Sequence, residues 1–163
     1  MRVLATLGVL LIWFSATSQQ VPKITGGDLL KFGDQRVRLF GIDAPELTQT
    51  CDNGVWAAGR IAKEALRRLI ADRPVRCEQV DWDGRNKGPI SRCFVDDTDL
   101  SAAMVERGLA WASVRDSAAY VDVERRAATN GVGLHAHKCV PAWEWRELNR
   151  RRMDRSGSGD GPS

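Results

Sequence analysis

The body of this chain has no surplus of positive charge. Residues 19–145 hold 18 Lys/Arg and 18 Asp/Glu, and the excess of the full 163-residue chain, +3, sits in Arg2 and in the last eighteen residues, "RELNRRRMDRSGSGDGPS". A generally basic nucleic-acid binder carries its charge on the folded body, so that class is disfavoured. Long hydrophobic runs are missing too. The longest, Val3–Phe14, has twelve residues, too short to span a bilayer as an ordinary helix. There are no internal repeats. Only two histidines and four widely spaced cysteines occur, and that spacing does not match a close-knit zinc site. His135-x-His137-x-Cys139 is therefore read as two solvent-facing histidines and a disulfide cysteine. A single tyrosine leaves few stacking partners for bases.

What is present is ordinary for one globular domain: 43% hydrophobic and 28% charged residues. The N-terminal stretch "MRVLATLGVLLIWFSATSQQ" has a basic residue, an apolar run and then small residues. That is the pattern of a secretory signal, with cleavage expected after Ser18. The protein is then exported, periplasmic or secreted, with no stable membrane span and a mature charge of +2. In an exported chain an even number of cysteines suggests disulfides, with three possible pairings. Cys77 and Cys93 lie in strand-like segments that neighbouring strands can bring together, which favours Cys77–Cys93 and leaves Cys51–Cys139.

"KITGGDLLKFGDQRVRLFGIDAPE" reads as two strands about a Gly33-Asp34 turn. Val37 and Leu39 share one face of the second strand, Arg36 and Arg38 the other, and Pro45 stops it. An amphipathic helix is expected over about Val55–Ile70, with Trp56, Ala57, Ile61, Ala65 and Leu69 as its apolar stripe. Strands are expected at Val75–Val80 and Ile90–Val95, joined by a polar loop, and a fifth in "LAWASV". A helix over Ser101–Arg107 is capped by Asp99 and stopped by Gly108, and a last helix covers Ser117–Asn130. "CVPAWEWR" reads as an ordered end that packs its tryptophans. Trp56, Trp111, Trp143 and Trp145 are read as packing anchors, with the role of Trp82 left open. The reading gives three parts: a signal over 1–18, a folded domain over 19–148 and a disordered tail over 149–163. Five strands with about three helices suggest an α+β fold around a small barrel of the oligonucleotide/oligosaccharide-binding (OB) type.

Charge gathers where "RVRLFGIDAPE" ends, and this carries a resemblance. From Ile24 to Arg146 the sequence resembles the staphylococcal-nuclease (thermonuclease) family, which has an aspartate in the first strand, then an arginine, then an Asp-x-Pro-Glu turn. "DLSAAMVERGLAWA" and "GVGLHAHKCVPAWEW" resemble its downstream segments. The resemblance implies Ca²⁺-dependent hydrolysis of DNA or RNA phosphodiesters. Asp28 and Asp43 match the carboxylate ligands of Ca²⁺ and Ala44 matches the position that gives a backbone carbonyl, all hard oxygen donors. Glu46 matches the general base, and Arg38 matches one of two arginines that grip the phosphate.

The departures are specific. Gly88 stands where the second arginine belongs, with Lys87 and Arg85 nearby in "GRNKG". Losing one preorganised charge typically costs about 3–4 kcal/mol. Gly26 and Leu29 replace a second acid and a hydroxyl beside the metal. Ser113, Val114 or Asp116 replace tyrosines of the base pocket, each worth ~1–3 kcal/mol in stacking. The expectation is a weakened nuclease, a monomer whose partner is nucleic acid. The alternative is a non-catalytic thermonuclease-fold protein that binds another anionic polymer. Acidic polysaccharide is the candidate polymer, because the sequence also resembles exported thermonuclease-like proteins of rhizobia named for biosynthesis of succinoglycan, an exopolysaccharide.

Overall fold

The computed structural model describes residues 20–84 and 88–157. The signal and its cleavage point, and Arg85 and Lys87, lie outside these residues. Eight short strands are described: β1 (Lys23–Ile24), β2 (Leu29–Phe32), β3 (Gln35–Leu39), β4 (Ile42–Asp43), β5 (Arg76–Asp83), β6 (Gly88–Val95), β7 (Thr98–Asp99) and β8 (Trp111–Ala112). Four helices join them: α1 (Ala58–Ile70), α2 (Leu100–Glu106), α3 (Val121–Thr129) and α4 (Ala142–Gly157).

The main sheet runs β1-β2-β3-β6-β5, with β7 added to β6. Every pairing in it is antiparallel except β3 with β6. An isolated bridge from Gln20 to Val75 joins the segment leading into β1 to the one leading into β5, so the curled sheet turns back toward its own first strand. β4 and β8 form a separate two-stranded ribbon. This is the expected α+β, OB-type architecture. The hairpin turns at Gly33, φ +57°, and Val37 and Leu39 are buried while Arg36 and Arg38 take the other face. Both expected disulfides are present. Cys77 and Cys93 sit opposite each other on β5 and β6, and Cys51 joins Cys139.

Three features differ from expectation. α1 starts at Ala58 rather than Val55, because residues 51–56 form a closed turn. Cys51 bridges Trp56, and Asp52 and Asn53 take left-handed backbone angles. Its deepest face is Ala58, Ala62, Leu66 and Ile70, one residue along from the expected stripe, and Ile61 is more than a third exposed. Leu66 and Ile70 of this row are wholly buried in the main core. The third difference is α4, which runs through Asn149 to Gly157, past the point where order was expected to end. Glu147 pairs with Arg150 and Arg151 at helical spacing, a pattern that supports helix. The two-residue strands β1, β4 and β7 are additions to the five strands expected. α2 is capped as expected, with the Asp99 carboxylate accepting from the Ala102 amide at 3.1 Å.

Candidate active site

A cleft of about 210 Å³ is lined by Asp28, Leu29, Arg38, Asp43, Glu46, Asp83 and Arg146. Asp28 directly precedes β2, Arg38 is on β3, Asp43 ends β4, and Glu46 follows Pro45. The register of β2 on β3 sets Leu29 opposite Arg38, so Asp28 and Arg38 are brought to one end of the hairpin by strand pairing alone. Gly27 allows the close approach, since a Cβ there would lie 2.8 Å from the Cβ atoms of both Ala44 and Ala62. The backbone amide of Ala44 then donates to Asp28 at 3.4 Å. All five residues singled out in the sequence thus meet in one place.

The Glu46 turn is held from two sides. The Glu46 amide donates to Gln49 Oε1 at 3.2 Å, and Gln49 Nε2 donates to the Val140 carbonyl at 2.7 Å. Gln49 is fully buried, so it ties the turn to the segment that opens α4. The Cys51–Cys139 disulfide reinforces this tie. Beside it His137 stacks on Trp56 and bonds Asp52 at 2.5 Å, a bond that holds the Asp52 carboxyl below its usual range. His137 and Cys139 are thereby placed in structural contacts. Trp111 and Trp143 meet edge to face, and Trp82 is exposed on β5.

Three site residues escaped the sequence reading. Arg146 on α4 donates to both carboxylate oxygens of Asp43, at 2.6 and 3.0 Å, and to Glu46 at 2.8 Å. These bonds raise the pKa of an already strong base, so Arg146 is charged at every relevant pH. Asp83 and Asp116 flank Arg38. Its Nη2 bonds Asp116 at 3.0 Å, and its Nε lies 3.6 Å from Asp83, too far for a hydrogen bond. Asp116 was considered only as a lost stacking position. "CVPAWEWR" was read for its tryptophans, and an arginine directly after Trp145 in an ordered end was the available signal.

Gly88 proves to be required by the backbone. A Cβ there would sit 2.2 Å from the Arg36 carbonyl oxygen, so this strand pair has no room for an arginine at that position.

Four carboxylates face two guanidiniums in the cleft. Asp28 is partly buried, and its carboxyl is pushed up to about 7, first by desolvation and then by the charge of Asp43. A site with this balance repels a phosphate unless a cation enters. The carboxylates of Asp28 and Asp43 are hard oxygen donors that suit Ca²⁺. Among the described residues no group of three or more acidic, histidine or cysteine side chains is placed to hold a metal, so water and substrate oxygens would have to complete the shell.

The acid-lined cleft, with its two arginines, thus lies at a strand end of an OB-type curled sheet. The staphylococcal nuclease homologue model matches residues 36–137, and the chain belongs to that family. Protein ParB of Escherichia coli is 31% identical over 94% of both chains. Succinoglycan biosynthesis protein ExoI of Rhizobium meliloti is 31% identical over 68% of this chain and 61% of its own. A probable staphylococcal-like nuclease of rice, CAN1, is 30% identical over 81% of this chain but only 38% of its own length.

Proposed function

We propose that the chain is an exported, Ca²⁺-dependent phosphodiesterase that hydrolyses DNA or RNA, with a phosphate grip weaker than its family's. The observation that carries this reading is the convergence of Asp28, Arg38, Asp43 and Glu46 on one cleft, with Ala44 beside them. Asp28, Asp43 and the Ala44 carbonyl would hold the ion. When bound, Ca²⁺ supplies positive charge that draws the phosphate in and stabilises charge built up during attack. Glu46 is half-exposed at the cleft, where it orients a water and accepts its proton, a role typically worth about 10²–10⁴-fold. Arg38 binds the phosphate, and Asp83 and Asp116 fix its guanidinium in place. Export is supported by the two disulfides.

The test is hydrolysis of single-stranded DNA by the disulfide-intact protein with and without Ca²⁺, beside Glu46→Gln. Cleavage that needs Ca²⁺ and falls at least about a hundredfold in the variant is expected. Intact DNA at high enzyme concentration with Ca²⁺ refutes the reading.

The likeness to ExoI, together with the lack of room for an arginine at Gly88, favours a second reading. In it the fold is kept without catalysis for exopolysaccharide biosynthesis. Binding of acidic polysaccharide by protein that leaves DNA intact supports that reading, and no binding refutes it.

A further inference from the structure

Arg146 occupies both oxygens of Asp43 and one of Glu46. Asp43 is almost fully buried, at 3% exposed, so these bonds take up the face that it turns to the cleft. A divalent cation cannot use Asp43 without taking an oxygen from Arg146, and two positive charges on one carboxylate repel each other. Arg146 is nevertheless one third exposed and lines the same cleft as Arg38. Its flexible stem can turn the guanidinium from carboxylate to phosphate without moving α4. The planar fork that grips Asp43 is equally suited to two phosphate oxygens. The strand position that should supply a second arginine holds Gly88, which admits no side chain.

We propose that Arg146 is a transferable guanidinium. It neutralises Asp43 and Glu46 in the absence of substrate and passes to a phosphodiester oxygen once a divalent cation takes Asp43, giving the cleft its second phosphate grip from the C-terminal helix. The proposal rests on the phosphodiesterase reading.

It makes two affinities move in opposite directions. Ca²⁺ binding is measured by calorimetry on the full chain and on Arg146→Gln. Binding of a phosphorothioate dinucleotide, which keeps the phosphate charge and resists hydrolysis, is then measured at saturating Ca²⁺. Removing the competitor should tighten Ca²⁺ roughly tenfold, while dinucleotide binding weakens by about tenfold or more. Arg146→Lys keeps the charge without the fork. It should leave Ca²⁺ near the parent value and still weaken the dinucleotide several-fold. A merely structural arginine would weaken both ligands, and a pure plug would tighten Ca²⁺ and leave the dinucleotide unchanged; either result overturns the transfer alone. If the parent binds no Ca²⁺ even with the dinucleotide, the phosphodiesterase reading falls and the proposal falls with it.

Discussion

Gly59→Ala reverses the sign that helix propensity predicts. Gly59 lies in the first turn of α1, where alanine normally adds up to about 1 kcal/mol of stability. Here the added Cβ would sit 1.8 Å from the Glu46 carbonyl oxygen, 2.6 Å from its carbon and 2.8 Å from the Leu47 Cα. All three are backbone atoms, so no side chain can swing aside. Forcing such atoms apart costs typically about 1–3 kcal/mol. A 1.8 Å approach to backbone calls for the upper end of that range, so subtracting the propensity gain leaves a net loss of about 2 kcal/mol. Equilibrium urea unfolding followed by tryptophan fluorescence measures it. Gly84→Ala is the control, because nothing among the described residues lies within 4 Å of a Cβ there, and it should stay within about 0.5 kcal/mol of the parent. The displaced atoms belong to Glu46, so kcat should also fall, by as much as about a hundredfold for a shift near 1 Å, with KM less affected. A variant as stable as the parent, or more so, refutes the close seat of α1 on the Glu46 turn.

Other outcomes follow from the same geometry. Gly88→Arg should destabilise the protein rather than restore activity, because its Cβ meets the Arg36 carbonyl; a faster enzyme of unchanged melting temperature would contradict this. Cys51 and Cys139 are 88 residues apart and Cys77 and Cys93 are 16 apart, so chain entropy assigns about 4.6 and 3.1 kcal/mol to the two bonds. Replacing the first pair by alanine should therefore cost more stability in urea titrations and should also lower kcat, whereas losing the second should cost stability alone. Tyr120, the single tyrosine, donates to Asp99 at 2.9 Å, and burial first and this bond second push its pKa up to about 12. Stability from this group is complete below the unfolded value near 10 and is lost as pH rises from 10 through 12. Tyrosinate absorbance should titrate near 12 in folded protein and near 10 in urea, and a folded midpoint near 10 would exclude the buried bond.

Local patterns made most of the fold readable. The Gly33-Asp34 turn, the alternation of Val37 and Leu39 with Arg36 and Arg38, and the Asp99 cap each depend on neighbours a few residues away. Asp28, Arg38, Asp43 and Glu46 were legible through the family resemblance, whose motif lies within one hairpin and its exit turn. Arg146 was not, since its partners Asp43 and Glu46 lie 103 and 100 residues back. Asp116 is likewise 78 residues from Arg38. No periodicity encodes such pairings, and each side chain alone is an ordinary surface charge. The stripe on α1 was displaced by one residue for a related reason. Two adjacent rows of that helix are apolar, and which of them is buried depends on how the helix seats on the core, which no local pattern records.

The bracing of the site explains why its C-terminal half is built as it is. A carboxylate that is to act as a base must stay in place while its neighbours exchange partners. Glu46 follows a proline in a short turn, and its amide is held by Gln49, which in turn holds Val140. The Cys51–Cys139 bond and the Trp56–His137 stack fix the same segment from the other side. Two residues after Val140, α4 begins, and one turn further on it delivers Arg146 back to Asp43 and Glu46. The turn that carries Glu46, the proposed base, and the helix that carries Arg146 are therefore one mechanical unit. Gln49→Leu, close in volume but unable to make either bond, tests that unity. It should remove the bonds to the Glu46 amide and the Val140 carbonyl, at about 0.5–1.5 kcal/mol for each part-buried bond. It should also lower kcat beyond what instability explains, because both Glu46 and Arg146 lose their footing. Full activity per folded molecule in Gln49→Leu would mean that the two halves of the site are held independently.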